Sequence, residues 1–211
     1  YGTNGFYLPF KQDYTVEGFS TVLSTGNATA KYVGGVGFQP DFVWNKTRSA
    51  SQNHFLYDAI RGTGKELRSN QTTAEATNDG VTAFSSDGFS RGTSNDCNEN
   101  GITYVDWCWD MGGSNATNTN GSITSTVRAN ATYGQSIVSY TGNGTASATV
   151  GHGLSAKPEM IIIKNRTSSS KSWYVYHEGL HASSPEDYRV ELNTTNAASS
   201  NTTGNSLQGT A

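Results

Sequence analysis

Residues 177–181 (HEGLH) have the spacing of a zinc-protease motif. On a helix, histidines four residues apart share one face and bind zinc, and the glutamate between them acts as the general base. The neighbouring sequence favours a strand instead, because WYVY at residues 173–176 precedes the motif, Gly179 interrupts it and Pro185 follows. We therefore interpret the motif as a strand end followed by a turn, and we predict no metal site there.

Two further segments resemble ligand-binding loops. Residues 96–101 (DCNENG) match the start of a calcium loop, but the twelfth position, which should be a bidentate glutamate, is Trp107. Because Asn-Gly is a strong turn signal, we predict a β-hairpin around residues 100–101. Residues 62–66 (GTGKE) lack the hydroxyl residue and the helix that follow a phosphate-binding lysine, so they are predicted to form a plain loop.

A pair of carboxylates could serve glycoside hydrolysis. Asp106 and Asp110 flank Trp107 and Trp109, and tryptophan rings can stack on sugars. Alternation along a strand places both tryptophans on one face and Asp106 with Cys108 on the other. We expect the tryptophans to fill a core, because large rings on one strand face usually pack inward. We therefore predict that the chain is not an enzyme, has no catalytic residue and needs no cofactor.

The composition excludes several classes of partner. The net charge is −3, charged residues make up 15% of the chain, and no long basic run occurs. We therefore predict no nucleic-acid partner and no membrane insertion. Hydrophobic residues reach only 34%, but the 11% aromatic fraction supports an ordered fold with a thin core. The predicted hairpin would place Cys97 opposite Tyr104 rather than Cys108, which argues against a disulfide.

Short strands separated by turn residues dominate the chain. No window shows helical periodicity over three turns. We predict an all-β, antiparallel sandwich architecture. The predicted strands are residues 19–24, 41–46, 54–60, 81–85, 102–109, 122–127, 135–141, 159–164, 172–177 and 188–193.

An internal repeat relates the two halves of the sequence. STGNATA at residues 24–30 matches YTGNGTA at residues 140–146, and Pro40 matches Pro158. Downstream, Tyr57-Asp58 corresponds to Tyr176-His177, and residues 70–74 correspond to residues 193–197. The apolar runs that follow the two prolines, FVW and MIII, are predicted to be buried on both faces.

The repeat divides the chain into tandem antiparallel β-sandwich units. We predict a lead-in strand or the tail of a preceding domain at residues 1–16, a first unit at 17–113, a linker at 114–133 and a second unit at 134–211. The second unit lacks a counterpart of the aromatic strand at residues 102–109. We expect either that the native chain continues or, less favoured, that a neighbouring chain supplies the missing strands.

Several of these segments resemble a known family. NGFYLPF at residues 4–10, GFQPDFVW at 37–44, SSDGF at 85–89 and TYVDWCWD at 103–110 are similar to the repeated β-sandwich domains of marine-phage structural proteins. Such domains often follow lectin-like, concanavalin-type domains. The resemblance implies a virion structural protein, a tail-fibre or surface-appendage component that also contributes to host attachment.

The resemblance also implies partners and a location. The expected partners are further copies of the chain or other virion proteins, together with a host cell-surface glycan, and the expected location is the virion surface or the extracellular space. An extracellular, lectin-like carbohydrate-binding module is the alternative. A capsid decoration protein or a hydrolase is less favoured, and the latter lacks a carboxylate motif.

Overall fold

The structure, a computed structural model, describes residues 18–200, and its regular secondary structure is almost entirely antiparallel strands. This confirms the all-β prediction, whereas the predicted segment 1–16 lies outside the described residues. The strands are β1 (Phe19–Thr25), β2 (Lys31–Gly34), β3 (Phe42–Thr47), β4 (His54–Asp58), β5 (Lys65–Arg68), β6 (Ala76–Thr77), β7 (Ala83–Ser85), β8 (Gly88–Arg91), β9 (Thr103–Trp109), β10 (Ala116–Asn118), β11 (Ser125–Asn130), β12 (Gln135–Tyr140), β13 (Met160–Ile163), β14 (Tyr174–His177), β15 (Tyr188–Glu191) and β16 (Ser199–Ser200). All ten predicted strands are present.

Helical structure in the described range is limited to single turns. These are α1 (Asn95–Asn98) and two 3₁₀ turns, Glu178–Leu180 and Pro185–Asp187. None of the helices in residues 18–200 is long and apolar enough to cross a membrane.

The first half of the chain, which contains β1 to β9, packs a large sheet against a small one. The large sheet has the order β1-β9-β3-β4-β5-β6, and the small sheet has the order β2-β8-β7. The core between them contains aliphatic, aromatic and thiol side chains from both sheets and from the segments that connect their strands. Its buried members are Val22, Val33, Val36, Val43, Phe55, Tyr57, Val81, Phe89, Cys97 and Cys108. The aromatic strand β9 lies inside the large sheet, between β1 and β3.

The second half forms two further sheets, with the orders β10-β11-β12 and β13-β14-β15-β16. The segment predicted as a linker, residues 114–133, contains β10 and β11, and β11 pairs with β10 on one side and with β12 on the other. This segment is therefore part of a sheet.

The predicted hairpin around Asn100 is wrong. The chain before it forms α1, in which the Ser94 hydroxyl accepts a hydrogen bond from the Asp96 amide. The partners of β9 are β1 and β3, and Gly101 has a left-handed φ of 79° in the turn that leads into the strand. Cys97 and Cys108 are both buried free thiols. Because the predicted hairpin is absent, a hairpin is not what keeps the two cysteines apart.

Two predictions about burial are also wrong. The core face of β9 carries Tyr104, Asp106 and Cys108, so Trp107 and Trp109 lie on the opposite face of the sheet. The run at β13 is not buried on both faces, because Met160 is 57% exposed and Ile162 is 40% exposed. Strand β13 is an edge strand, and an edge strand has a neighbour on one side only.

Candidate functional site

The outer face of the large sheet carries a row of rings, which we call the aromatic row: Phe19, Phe42, Trp44, Trp107 and Trp109. The register of three adjacent strands creates it, since Trp109 is paired with Phe19 on one side and Phe42 on the other. The Trp109 ring centroid lies 5.0 Å from that of Phe19 and 5.1 Å from that of Phe42. Trp44 and Trp107 meet edge to face at 6.2 Å. These are the tilted geometries that aromatic pairs prefer.

His54 extends the row on strand β4. The Trp44 indole Nε1 donates to His54 Nδ1 at 3.0 Å, and the two rings are nearly perpendicular. Burial, followed by the nearby positive charge of Lys46, lowers the pKa of His54 below its usual value. A neutral imidazole can accept the indole proton, so His54 positions Trp44.

A residue from the second half covers one end of the aromatic row. Trp173 is only 4% exposed and packs with Leu56 and Leu67, against which Phe42 and Trp44 also pack. Its indole Nε1 donates to the carbonyl oxygens of Arg68 and Gln71, at 2.9 and 3.1 Å. This end of the row is therefore an internal contact between the two halves.

The other end of the row is open to solvent. Leu23 is 62% exposed and pairs with Val105 on β9, and Thr21, which pairs with Trp107, is also exposed. Together Thr21, Leu23, Val105 and Trp107 form an apolar surface, which we call the open patch. Such a surface can stack against the apolar face of a sugar ring or of another polypeptide.

The core face of β9 carries one charged side chain, Asp106, whose carboxylate is paired with protein groups. Asp106 forms an ion pair with Arg91, and the Asn45 amide donates to its carboxylate at 2.7 Å. Burial raises the pKa of the Asp106 carboxyl, and the charge of Arg91 and the Asn45 hydrogen bond offset part of that rise. This arrangement stabilises the core and leaves the carboxylate no access to a substrate.

Asp106 and Asp110 are not brought together. They are separated by four residues along an extended chain, about 13 Å at the usual rise per residue, which exceeds the spacing of a glycosidase pair. Asp110 instead lies beyond β9 and lines a cleft of about 420 Å³ together with Gln39, Asp41 and Asn130. In that cleft Asp41 is ion-paired with Arg128.

The predicted turn at residues 177–181 is present. His177 ends β14, and its Nδ1 accepts a hydrogen bond from the Gly179 amide at 2.9 Å. His181 stacks flat on Tyr188, with the ring centroids 4.4 Å apart. The two imidazoles thus have separate structural contacts. Across residues 18–200, no group of three or more histidine, cysteine, aspartate or glutamate side chains is arranged to hold a metal ion.

The two halves meet at two junctions. At the first, the Gln135 side-chain amide donates to the carbonyl oxygens of Gly18 and Asp110, at 2.9 and 2.8 Å, near the Asp41–Arg128 ion pair. At the second, Arg166 forms an ion pair with Glu75 at 3.1 Å, and the Trp173 indole donates to the carbonyl oxygens of Arg68 and Gln71. Sequence patterns had not indicated either junction, because each contact joins residues far apart in the chain.

The fold defines a strand-rich module of four antiparallel sheets. The chain belongs to the DUF7483 family, a domain family of unknown function, which matches residues 15–211. No curated protein and no solved structure matches the chain.

Proposed function

We propose that this protein is a structural component of a virion, of the tail-fibre or surface-appendage type, exposed on the particle surface and assembled with copies of itself or with other virion proteins. The observation that carries the proposal is the second junction, where Trp173 is buried beneath the loop that follows β5. Sheets that are joined by buried contacts of this kind move little relative to each other, and an elongated, stiff assembly requires such rigidity.

The junction is built from several kinds of contact. Lys164 donates to the Thr72 carbonyl oxygen at 3.0 Å, and the Thr72 hydroxyl donates to the Ser169 carbonyl oxygen at 2.9 Å. The Glu75 amide donates to the Arg166 carbonyl oxygen at 2.8 Å. Burial lowers the pKa of Lys164, as expected for an ammonium partly removed from water. Loops held at this many points resist bending between sheets and resist proteolysis.

The open patch supports a second candidate function, that of a carbohydrate-binding module. An exposed leucine beside a partly exposed tryptophan is an apolar surface that folding leaves uncovered. Aromatic rings commonly provide the stacking surface for sugars, and a module at the tip of an appendage can both assemble and bind a glycan. The two functions are compatible.

Immunogold electron microscopy tests the structural role. Antibodies raised against the recombinant chain should label particles of the virus whose genome encodes it, at an external appendage. Label confined to infected-cell lysate, with none on purified particles, would contradict the proposal.

A glycan array tests the second function. Wild-type protein should bind a subset of glycans, and Leu23→Asp should abolish that binding, because the substitution places a charge in the open patch. Tyr32→Asp is the matched control, since Tyr32 is 51% exposed and lies on β2 in the small sheet. Equal binding by Leu23→Asp and wild type would exclude the open patch as a sugar site.

A further inference from the structure

The open patch continues into polar and basic side chains where β1 ends and β9 begins. Leu23 is paired with Val105, and Val105 is paired on its other side with Lys46 of β3. Two residues further along, Thr25 is paired with Thr103. Because alternate residues of a strand share a face, these side chains lie on the same outer face of the large sheet as the patch.

Lys46 brings a positive charge to the border of the open patch. Its ammonium donates to the Thr47 hydroxyl at 3.1 Å and to the Gln52 carbonyl oxygen at 2.9 Å, and both of these acceptors are uncharged. Burial and the positive charge of Lys46 together lower the pKa of His54, the neighbour of Lys46 on β4. The imidazole therefore adds no second charge beside the ammonium.

Two more cationic side chains lie at the same end of the sheet. Lys31 Nζ donates to the Thr25 carbonyl oxygen at 2.7 Å. Arg48 follows β3 and is exposed, and its amide donates to the Thr103 carbonyl oxygen at 2.7 Å. We call the three basic side chains the basic rim: Lys31, Lys46 and Arg48. Within residues 18–200, no carboxylate forms an ion pair with a member of the basic rim.

The carboxylates on the neighbouring elements do not neutralise the basic rim. Asp106 lies on the opposite face of β9, is fully buried and is paired with Arg91. Glu99, in the turn before β9, is in no ion pair with another described residue. The whole chain has a net charge of −3, so the excess of positive charge at this end of the sheet is local. A local field of this sign attracts an anionic ligand.

A ligand on this surface is recognised through side chains, because the surface is a sheet face and not an edge. Strand β9 is paired with β1 on one side and with β3 on the other, so its backbone groups are already used. Leu23 and Trp107 provide apolar contact area. The exposed residues Thr21 and Thr25 provide hydroxyls. A sugar has the matching groups, since its ring has an apolar C–H face bordered by hydroxyls.

We propose that the open patch and the basic rim together bind an acidic polysaccharide built from uronic-acid units, with a sugar ring resting on the open patch and its carboxylate beside Lys46. This inference rests on the proposed carbohydrate-binding function, to which it adds the class of sugar. The positive charge of the basic rim selects against a neutral sugar, and the apolar contact area selects against an anion that has no ring.

The spacing of the surface fits a uronic acid. In such a sugar the carboxylate is attached directly to the ring, so the charge lies close to the apolar face. Val105 of the patch and Lys46 of the rim are paired on adjacent strands, which are about 5 Å apart. Arg48 and Lys31 extend the positive charge across the same end of the sheet, where the carboxylates of neighbouring sugar units would lie.

Two probes that differ only in charge supply the direct test. They are a fluorescent galacturonic-acid hexasaccharide and the same hexasaccharide with its carboxylates methyl-esterified, each titrated against the whole chain and followed by anisotropy. We expect the acid to bind about tenfold more tightly than the ester, since each exposed charge pair contributes a factor of up to about five. Added sodium chloride should weaken binding of the acid but not of the ester, because salt screens exposed charges.

Matched variants of the protein locate the carboxylate. Lys46→Gln should weaken binding of the acid about fivefold and leave binding of the ester unchanged. Arg48→Gln should act in the same direction from an exposed side chain. Lys65→Gln is the control, because the Lys65 ammonium also donates to a threonine hydroxyl, that of Thr77 at 3.2 Å, but β3 and β4 separate β5 from β9. Melting temperatures of the three variants verify folding, and the comparison of the two probes on wild-type protein needs no variant.

Several outcomes would overturn the inference. Equal affinity for the acid and the ester would assign the open patch to a neutral sugar, so the inference would fail while the carbohydrate-binding function stood. Binding of neither probe would also overturn it, and a glycan array without any bound sugar would remove the carbohydrate-binding function as well. Equal weakening by Lys46→Gln and Lys65→Gln would show that overall charge alone attracts the acid. Competition by poly-L-glutamate as strong as that by the hexasaccharide would assign the surface to an acidic polypeptide instead.

Discussion

Arg91 and Asp106 form an ion pair at the centre of the first core, where the two side chains are 1% and 0% exposed. The Arg91 guanidinium also donates to the Cys97 carbonyl oxygen at 2.6 Å and lies over the rings of Phe89 and Tyr104. Strand β8 of the small sheet is thereby tied to β9 of the large sheet and to the helical turn α1. The pair fixes how the two sheets face each other.

Replacing Arg91 should lower the stability of the fold. We expect Arg91→Met to lower the free energy of unfolding by about 3–5 kcal/mol, because Asp106 is left charged and buried without its partner. Urea denaturation measures the change. Arg48→Met, at an exposed site, should change stability by less than about 0.5 kcal/mol. An Arg91→Met protein as stable as the Arg48 variant would show that the pair makes no net contribution.

The second junction depends on one indole. We expect Trp173→Ala to cost about 3–5 kcal/mol, since it leaves a cavity beside Leu56 and Leu67. Trp173→Phe keeps most of the ring but removes the donor to two carbonyl oxygens, so it should cost about 1–3 kcal/mol. Denaturation and hydrogen exchange of residues 68–75 measure both effects. Unchanged exchange in that loop would contradict the role of Trp173 in holding the halves together.

Alkaline pH should destabilise the fold through a buried thiol. Burial raises the pKa of Cys97 from 9.0 to about 12, so above pH 9 the unfolded chain loses this proton while the folded chain keeps it. Between pH 9 and 12, the stability advantage of wild type over Cys97→Ala should shrink by about 1.4 kcal/mol per pH unit. Parallel stability curves for the two proteins would show that the thiol does not titrate in this way.

The histidines at 177 and 181 should not form a zinc site. We expect isothermal titration of zinc into wild type and into the double variant His177→Ala/His181→Ala to give the same result, because each imidazole already has a structural contact. The His181→Ala change alone should cost about 0.5–1.5 kcal/mol through the lost stacking on Tyr188. If wild type bound one equivalent of zinc and the double variant bound none, that result would support a metal site at these histidines.

Ten of the sixteen described strands could be predicted from the sequence, whereas the direction in which their side chains face could not. The alternation of side chains along β9 places Trp107 and Cys108 on opposite faces, but it does not say which face meets the core. The buried face proved to be the one that carries Tyr104, Asp106 and Cys108. The small sheet sits above β9 on the side of Cys108, so bulky rings are accommodated on the outer face. Only the position of the second sheet decides this.

Turn signals between neighbouring residues also gave a wrong prediction of strand pairing, because tertiary contacts determine that pairing. Asn100-Gly101 is a strong hairpin signal, but the partners of β9 are β1 and β3, both far earlier in the chain. The turn α1 is too short for periodicity to indicate, and the buried Asn98 amide stabilises it by donating to Thr29 and Gly92 carbonyl oxygens. The open patch arises because no described element covers that part of the outer face of the large sheet, and no residue pattern reports that.

The two core thiols have a consequence for where the molecule can operate. Cys97 and Cys108 are 1% and 0% exposed and unbridged, so the stability of the sheets uses no cross-link that a reductant could open. A chain made in a reducing cytoplasm and later exposed to oxygen keeps one covalent structure in both surroundings.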